Sequence, residues 1–347
     1  MKKPVHLVGS VAMDTCEEVF ERLSETVGPY ISRIPDGETG KRSRWIAFQR
    51  EMLMEHPDIE IDPTVPELEI REWNGRLLRA MPLLRFKDGT DLESIRFETG
   101  YETAALNSYG VFRAMRRNRR IPEGVRFQVC LPTPMSTAYM YMSHKSHQEF
   151  INVYERSLRA ALVRILDGIP HEDLAIQYDV CQEVLIFEKY FPYRPDDYKE
   201  QIFDLLSRLG DTVLEDVQLG YHLCYGSPAD EHLVMPRDTE ILVEMLNGIN
   251  ASVTRKIGFL HIPVPRDRAD DGYFQPLRGL ELDADIELYL GLIHHDDEAG
   301  DAARIDAARK YLDDFGISTE CGWGRTDPAR VPGLLESHLK QARLISD

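Results

Sequence analysis

Strand-length apolar runs that alternate with helix-length amphipathic stretches predict the fold class. The runs lie at 5–10, 30–36, 125–131, 174–180, 219–225, 257–263, 286–293 and 316–321. Between most of them fall helical patterns at 15–27, 41–55, 146–167, 197–216, 238–249, 300–314 and 327–344. The runs are short, apolar and flanked by Gly, Pro and acidic residues, as strands buried on both faces are. Eight such strands predict an α/β protein, a (β/α)8 TIM barrel. Nothing resembles the GxGxxG turn of a doubly wound sheet, the runner-up architecture.

Taken in order, the opening MKKPVHLVGSVAMDTC has the basic start and short apolar run of a signal peptide. Asp14 interrupts it, no small-residue cleavage site follows, and the run alternates like a strand, so it is read as mature protein in the cytoplasm. YISRIPD supplies the second strand, and PDGETGKR after it is a turn-rich loop. The stretch of about 56–124 is too long for one crossover and is read as an insertion between strands 2 and 3, a hairpin plus a helix. VRFQVCL then leads into PMSTAYMYMSHKSH, whose aromatic and Met content suits an apolar pocket or the core. LAIQYDV, LGYHLCY, IGFLHIP, IELYLGLI and GISTEC complete the set. With no repeat and no low-complexity linker, residues 1–347 are read as one domain, a length that barrels reach as a single unit.

Composition bounds the function. A net charge of −18, from 41 basic and 59 acidic residues, disfavours nucleic acid and anionic membrane surfaces as partners. No segment approaches the roughly 20 apolar residues of a membrane span. Five scattered cysteines do not form a disulfide framework and are free to be buried, reactive or metal-bound.

Barrel active sites sit at the C-terminal strand ends. There the sequence places Ser10, Asp36, Glu38, Thr133, Asp179, His222, Cys224, His261, His294, His295 and Cys321. His222 and Cys224, two apart on one strand, point to the same face. With Cys321 ending the last strand and His261 ending strand six, two thiolates and one or two imidazoles suit zinc. The alternative for these residues is ordinary packing in the barrel interior.

Six short motifs, VGS at 8–10, DGE at 36–38, QYD at 177–179, HLC at 222–224, IH at 293–294 and ECG at 320–322, occur in one order along these strands. In this the chain resembles the C-terminal catalytic barrel of cobalamin-independent methionine synthase, over nearly its whole length. The resemblance implies zinc as cofactor, with His222, Cys224 and Cys321 as ligands. It implies that Ser10 and its backbone hold a substrate carboxylate, that Glu38 and Asp179 hold its ammonium, and that His294 is the acid that protonates the departing group, oriented by Asp296 or Asp297. The sequence departs from the family at FLHIPVP, where His261 stands in place of the family's glutamate ligand, either as a fourth metal ligand or outside the set, which then has three protein ligands and an open position. It also departs at Val180-Cys181-Gln182-Glu183, where the family has Glu-Pro-Ala, and it lacks the family's second barrel.

The functional expectation is a zinc-dependent alkyl (methyl) transferase activating a small thiol, thioether or amino-acid-like substrate. Its methyl donor is a folate or a corrinoid protein. Two readings stand beside it: a metal-dependent lyase, decarboxylase or hydrolase acting on a small carboxylate, and a non-catalytic barrel that binds no metal.

Overall fold

The computed structural model describes residues 3–228 and 232–346, so Lys2 of the opening basic pair lies outside it. Eleven strands occur in chain order: β1 (Arg33–Pro35), β2 (Ile59–Ile61), β3 (Leu68–Arg71), β4 (Leu77–Met81), β5 (Leu84–Phe86), β6 (Arg126–Pro132), β7 (Leu174–Val180), β8 (Gln218–Leu223), β9 (Phe259–Pro263), β10 (Glu287–Ile293) and β11 (Gly316–Thr319). Seven of them form one curled parallel sheet in the order β1-β6-β7-β8-β9-β10-β11. VHLVGS, expected as the first strand, meets both edges of that sheet through isolated parallel bridges. Val5 pairs with Ile31 and with Ile317, and Ser10 pairs with Gly37.

Helices follow most of these strands. The first, Cys16–Val27, is started by Thr15, whose hydroxyl accepts from the Glu18 amide at 3.2 Å, with Glu17 and Glu18 in its first turn. It buries Val19, Phe20, Leu23 and Val27 on one face and packs against the last helix, Val331–Ser346. At Gly28 it passes into a short 3₁₀ turn, Gly28–Tyr30, because Pro29 has no N–H with which to continue the helical hydrogen bonds.

The stretch 56–124 contains two antiparallel pairs, β2 with β5 and β3 with β4, and the helix Tyr101–Arg117. One expectation needs correction. The helix over 41–55 is a 3₁₀ segment, Gly40–Phe48, broken at Arg44 and Trp45 before the helix Gln49–Glu55 begins. Trp45 has φ +54° and ψ −122°, a conformation costly for a bulky residue, and a long-range hydrogen bond described below overrides the local propensity. The stretch after β6 is core: the helix Pro134–Tyr141 buries nearly every side chain.

Inside the sheet, side chains stack in layers. At the N-terminal end Arg33, about 1 % exposed, is ion-paired with Glu287, donates from Nε to Gln218 at 3.1 Å, and lies 3.9 Å over the Phe259 ring. One layer up, His6 Nε2 meets Gln177 Oε1 at 3.0 Å. The site lies above this, at the C-terminal end. Among the described residues no helix is long and apolar enough to cross a membrane.

Candidate metal and substrate site

Strand register gathers the site. Asp179 on β7 pairs with His222 on β8, which pairs with His261 on β9, so three polar side chains stand in one row on one face. Cys224 lies just past β8, but its amide still bonds Val180 O at 3.1 Å, which keeps it on the same face as His222. Cys321 arrives from the turn after β11.

His222, Cys224 and Cys321 offer ligand atoms that all lie within 4.8 Å of one another. The two sulfurs are 3.6 Å apart. Two sulfurs on one tetrahedral zinc, each about 2.3 Å from it, stand about 3.8 Å apart, so the thiol pair fits that metal. The Cys224 thiol is pushed up by its neighbour Cys181, and the Cys321 thiol by Cys224 and then by burial. Both thiols therefore need a cation before they ionise. Burial lowers His222 to about 4, so it is a neutral imidazole, the form that binds metal.

His261 does not join this set. Its Nδ1 lies 2.7 Å from His222 Nδ1, and its Nε2 meets Thr319 O at 3.1 Å, so both ring nitrogens are committed. The expectation of a fourth protein ligand is corrected: His261 lies behind His222, because a side chain on the neighbouring strand at the same register meets the imidazole before it reaches the sulfurs.

Beside the metal residues stand two buried carboxyls, Asp179 on the strand next to His222 and Glu38 near it. Glu38 follows a tight turn in which Gly37 (φ +77°) could not be replaced, since a Cβ there would lie 2.6 Å from Val19. Asp36 holds the turn by accepting from the Glu38 amide at 2.9 Å, and Arg42 Nη2 is 2.6 Å from its second oxygen. Burial raises both carboxyls, Glu38 to about 8 with the charge of Asp179 adding to it and Asp179 to about 7 with the charge of Cys321 adding to it, so the two do not both ionise readily near neutral pH. Ser10 is clamped by the ECGWG turn: Gly324 N donates to its hydroxyl at 3.1 Å, and a Cβ on Gly322 would lie 2.4 Å from that oxygen.

His294 borders a cavity of about 490 Å³ whose wall includes Cys321, His232, Glu320 and Arg266. Burial lowers it to about 4, and its ring Nε2 lies 2.9 Å from Val264 O. A carbonyl only accepts, so the single proton of neutral His294 sits on Nε2 and Nδ1 is bare. Neutral His294 therefore offers Nδ1 as a proton acceptor. Asp297 is not its partner; it pairs with Arg304 at 2.9 Å, and Asp301 instead accepts from the His294 amide at 3.0 Å. Burial alone would raise Glu320, but His232 at 2.6 Å, with Arg266 adding to its effect, holds it down at about 2.

Two residues had no signal in the sequence pattern. Trp45 donates its indole N–H to Asp179 Oδ2 at 3.0 Å, while Gln177 donates to Oδ1 at 2.8 Å. Arg325 donates from Nη2 to Cys321 Sγ at 3.1 Å and from Nε to Ser227 O at 2.6 Å. Its place four residues beyond Cys321 in a glycine-containing turn is the one clue the sequence offers.

No protein-family model matches the chain, and no curated protein matches it. Solved structures do. A B12-independent methionine synthase from Shewanella sp. W3-18-1, in complex with selenomethionine, aligns with a TM-score of 0.62 at 14% identity, covering 100% of both chains. A putative vitamin-B12 independent methionine synthase from Listeria monocytogenes aligns with a TM-score of 0.57 at 14% identity, covering 99% of this chain and 98% of that one. The chain thus shares the fold of these methionine synthase structures.

Proposed function

We propose that the protein is a zinc-dependent methyltransferase of the methionine-synthase kind, with a small thiol or amino-acid-like substrate as acceptor. The observation that carries this reading is the convergence of His222, Cys224 and Cys321 within 4.8 Å, with the buried carboxyl of Asp179 on the strand next to His222 and that of Glu38 close enough to feel its charge. That a barrel of the same fold is found with selenomethionine supports an amino-acid-like ligand.

Zinc held by these three residues would lower the pKa of an incoming thiol and present its sulfur as the nucleophile. The residues of the chain do the rest. Glu38 and Asp179 receive an ammonium group, and Ser10 with its backbone faces the carboxylate. Arg325 offsets the charge on Cys321 through its N–H···S contact. With two thiolates, a neutral imidazole and no carboxylate, the metal set is formally neutral, which favours an anionic ligand in the remaining position. The proton released by the thiol passes to His294 Nδ1, beside the ionised Glu320, and returns to the departing group of the methyl donor. The donor is a folate or a methylated corrinoid held by a partner protein.

The test is metal analysis of protein purified without chelator, together with thiol-dependent methyl transfer. Stoichiometric zinc that is lost in both Cys224→Ser and Cys321→Ser supports the reading. Absence of zinc, or equal retention in both variants, sinks it.

A further inference from the structure

The pair His222–His261 is unexplained by ligation, because only one of its imidazoles faces the thiols. The two Nδ1 atoms are 2.7 Å apart and the ring centroids 4.8 Å apart, while His261 Nε2 lies 3.1 Å from Thr319 O. The backbone carbonyl fixes the protons of the whole chain of groups. Thr319 O can only accept, so His261 Nε2 carries a hydrogen. His261 is fully buried with the neutral rings of His6 and His222 around it, so it carries one proton only and its Nδ1 is a bare acceptor. His222 Nδ1 must then be the donor, which leaves the lone pair of His222 Nε2 as the one available to an ion at Cys224 and Cys321.

We infer that His261 is a positioning residue that locks His222 in the Nδ1–H tautomer and fixes its ring angle, so that Nε2 is presented to the metal beside the two thiols. The inference rests on the metal reading above and assigns His261 a role distinct from ligation. The same register that puts His261 behind His222 leaves, among the described residues, three side chains grouped around the metal position, His222, Cys224 and Cys321, and a fourth position for a substrate sulfur. The hydrogen-bond relay from Thr319 is thus a built support of the kind that metal-bound histidines use, where loss of the partner weakens metal binding by about 10–100-fold.

Two variants and two measurements on the unaltered protein test this. His261→Gln keeps an acceptor for His222 and a donor for Thr319, whereas His261→Leu keeps neither. Zinc affinity, read by competition with a chromophoric chelator, is expected to fall by about 10–100-fold in His261→Leu and to recover most of that loss in His261→Gln. X-ray absorption of the zinc-loaded, unaltered protein is expected to count two sulfurs and one imidazole. Selective ¹⁵N-histidine spectra are expected to show His222 protonated at Nδ1 and His261 at Nε2. Two imidazoles on the metal, or an unchanged affinity in His261→Leu, overturns the inference while leaving the metal site intact. No zinc in the unaltered protein overturns both. Should His261→Leu fail to fold, the absorption and ¹⁵N measurements decide on their own.

Discussion

The floor and the mouth of the strand ring both point charged and polar side chains inward, yet they treat them in opposite ways. At the floor Arg33 is matched at once: Glu287 neutralises it, Gln218 accepts from it, and Phe259 stacks beneath it. At the mouth burial raises two carboxyls, while Cys181 raises the Cys224 thiol and Cys224 raises that of Cys321, so that none of the four ionises readily without positive charge beside it. The floor is complete as folded; the mouth is complete only with added positive charge. Buried groups left in that state mark a place where ligand binding supplies what folding did not.

Removing one partner at the floor gives the largest expected effect. Glu287→Gln leaves the Arg33 charge buried and unpaired, and stability is expected to fall by about 3–5 kcal/mol in urea unfolding, with zinc binding per folded molecule unchanged. A loss below about 1 kcal/mol would show that the floor does not depend on the pair. At the mouth, Cys321→Ser is expected to weaken zinc binding by about 3 kcal/mol, roughly 150-fold, with little change in the metal-free protein's unfolding midpoint. Equal affinities would place the metal elsewhere.

The carboxylate pair should show itself in the pH dependence of the metal-free protein. Because Glu38 and Asp179 are raised by folding, the native state binds more protons than the unfolded chain above the ordinary carboxylate range. Their stability is fully present below about pH 4 and is lost as pH rises toward neutrality and beyond. Glu38→Gln is expected to flatten this slope by on the order of 1–2 kcal/mol, read as the difference in urea midpoint between pH 5 and pH 8. An unaltered slope would mean that other buried acids, such as Glu183, raised by burial to about 7, set it instead. The smallest effect belongs to Trp45→Phe, which removes one donor to Asp179 and is expected to steepen the same slope by about 0.5–1 kcal/mol. A slope left unchanged would mean that the indole contact does not act on the pair.

Much of the mouth was legible in the chain. The spacing of His222 and Cys224 put both on one strand face, Cys321 ended a strand, and Asp179 closed another. Local pattern could not reveal what each of them touches. Trp45 reaches Asp179 across 134 residues, and His261 reaches His222 across 39 and Thr319 across 58. Such contacts depend on strand order and register, which periodicity leaves free. The 3₁₀ break at Trp45 shows the same limit, since the sequence there reads as helix and the indole's partner lies on a distant strand.

Alternation of apolar runs and amphipathic stretches determined by itself that this chain builds a parallel sheet clad in helices, because burial on two faces and on one face leave different sequence periods. It also determined which side chains stand at the strand ends. The tertiary structure alone decided that the His261 ring nitrogens meet His222 and the Thr319 carbonyl, and that His294 meets the Val264 carbonyl. Which carbonyl meets which ring nitrogen is a matter of register and distance that no stretch of sequence records.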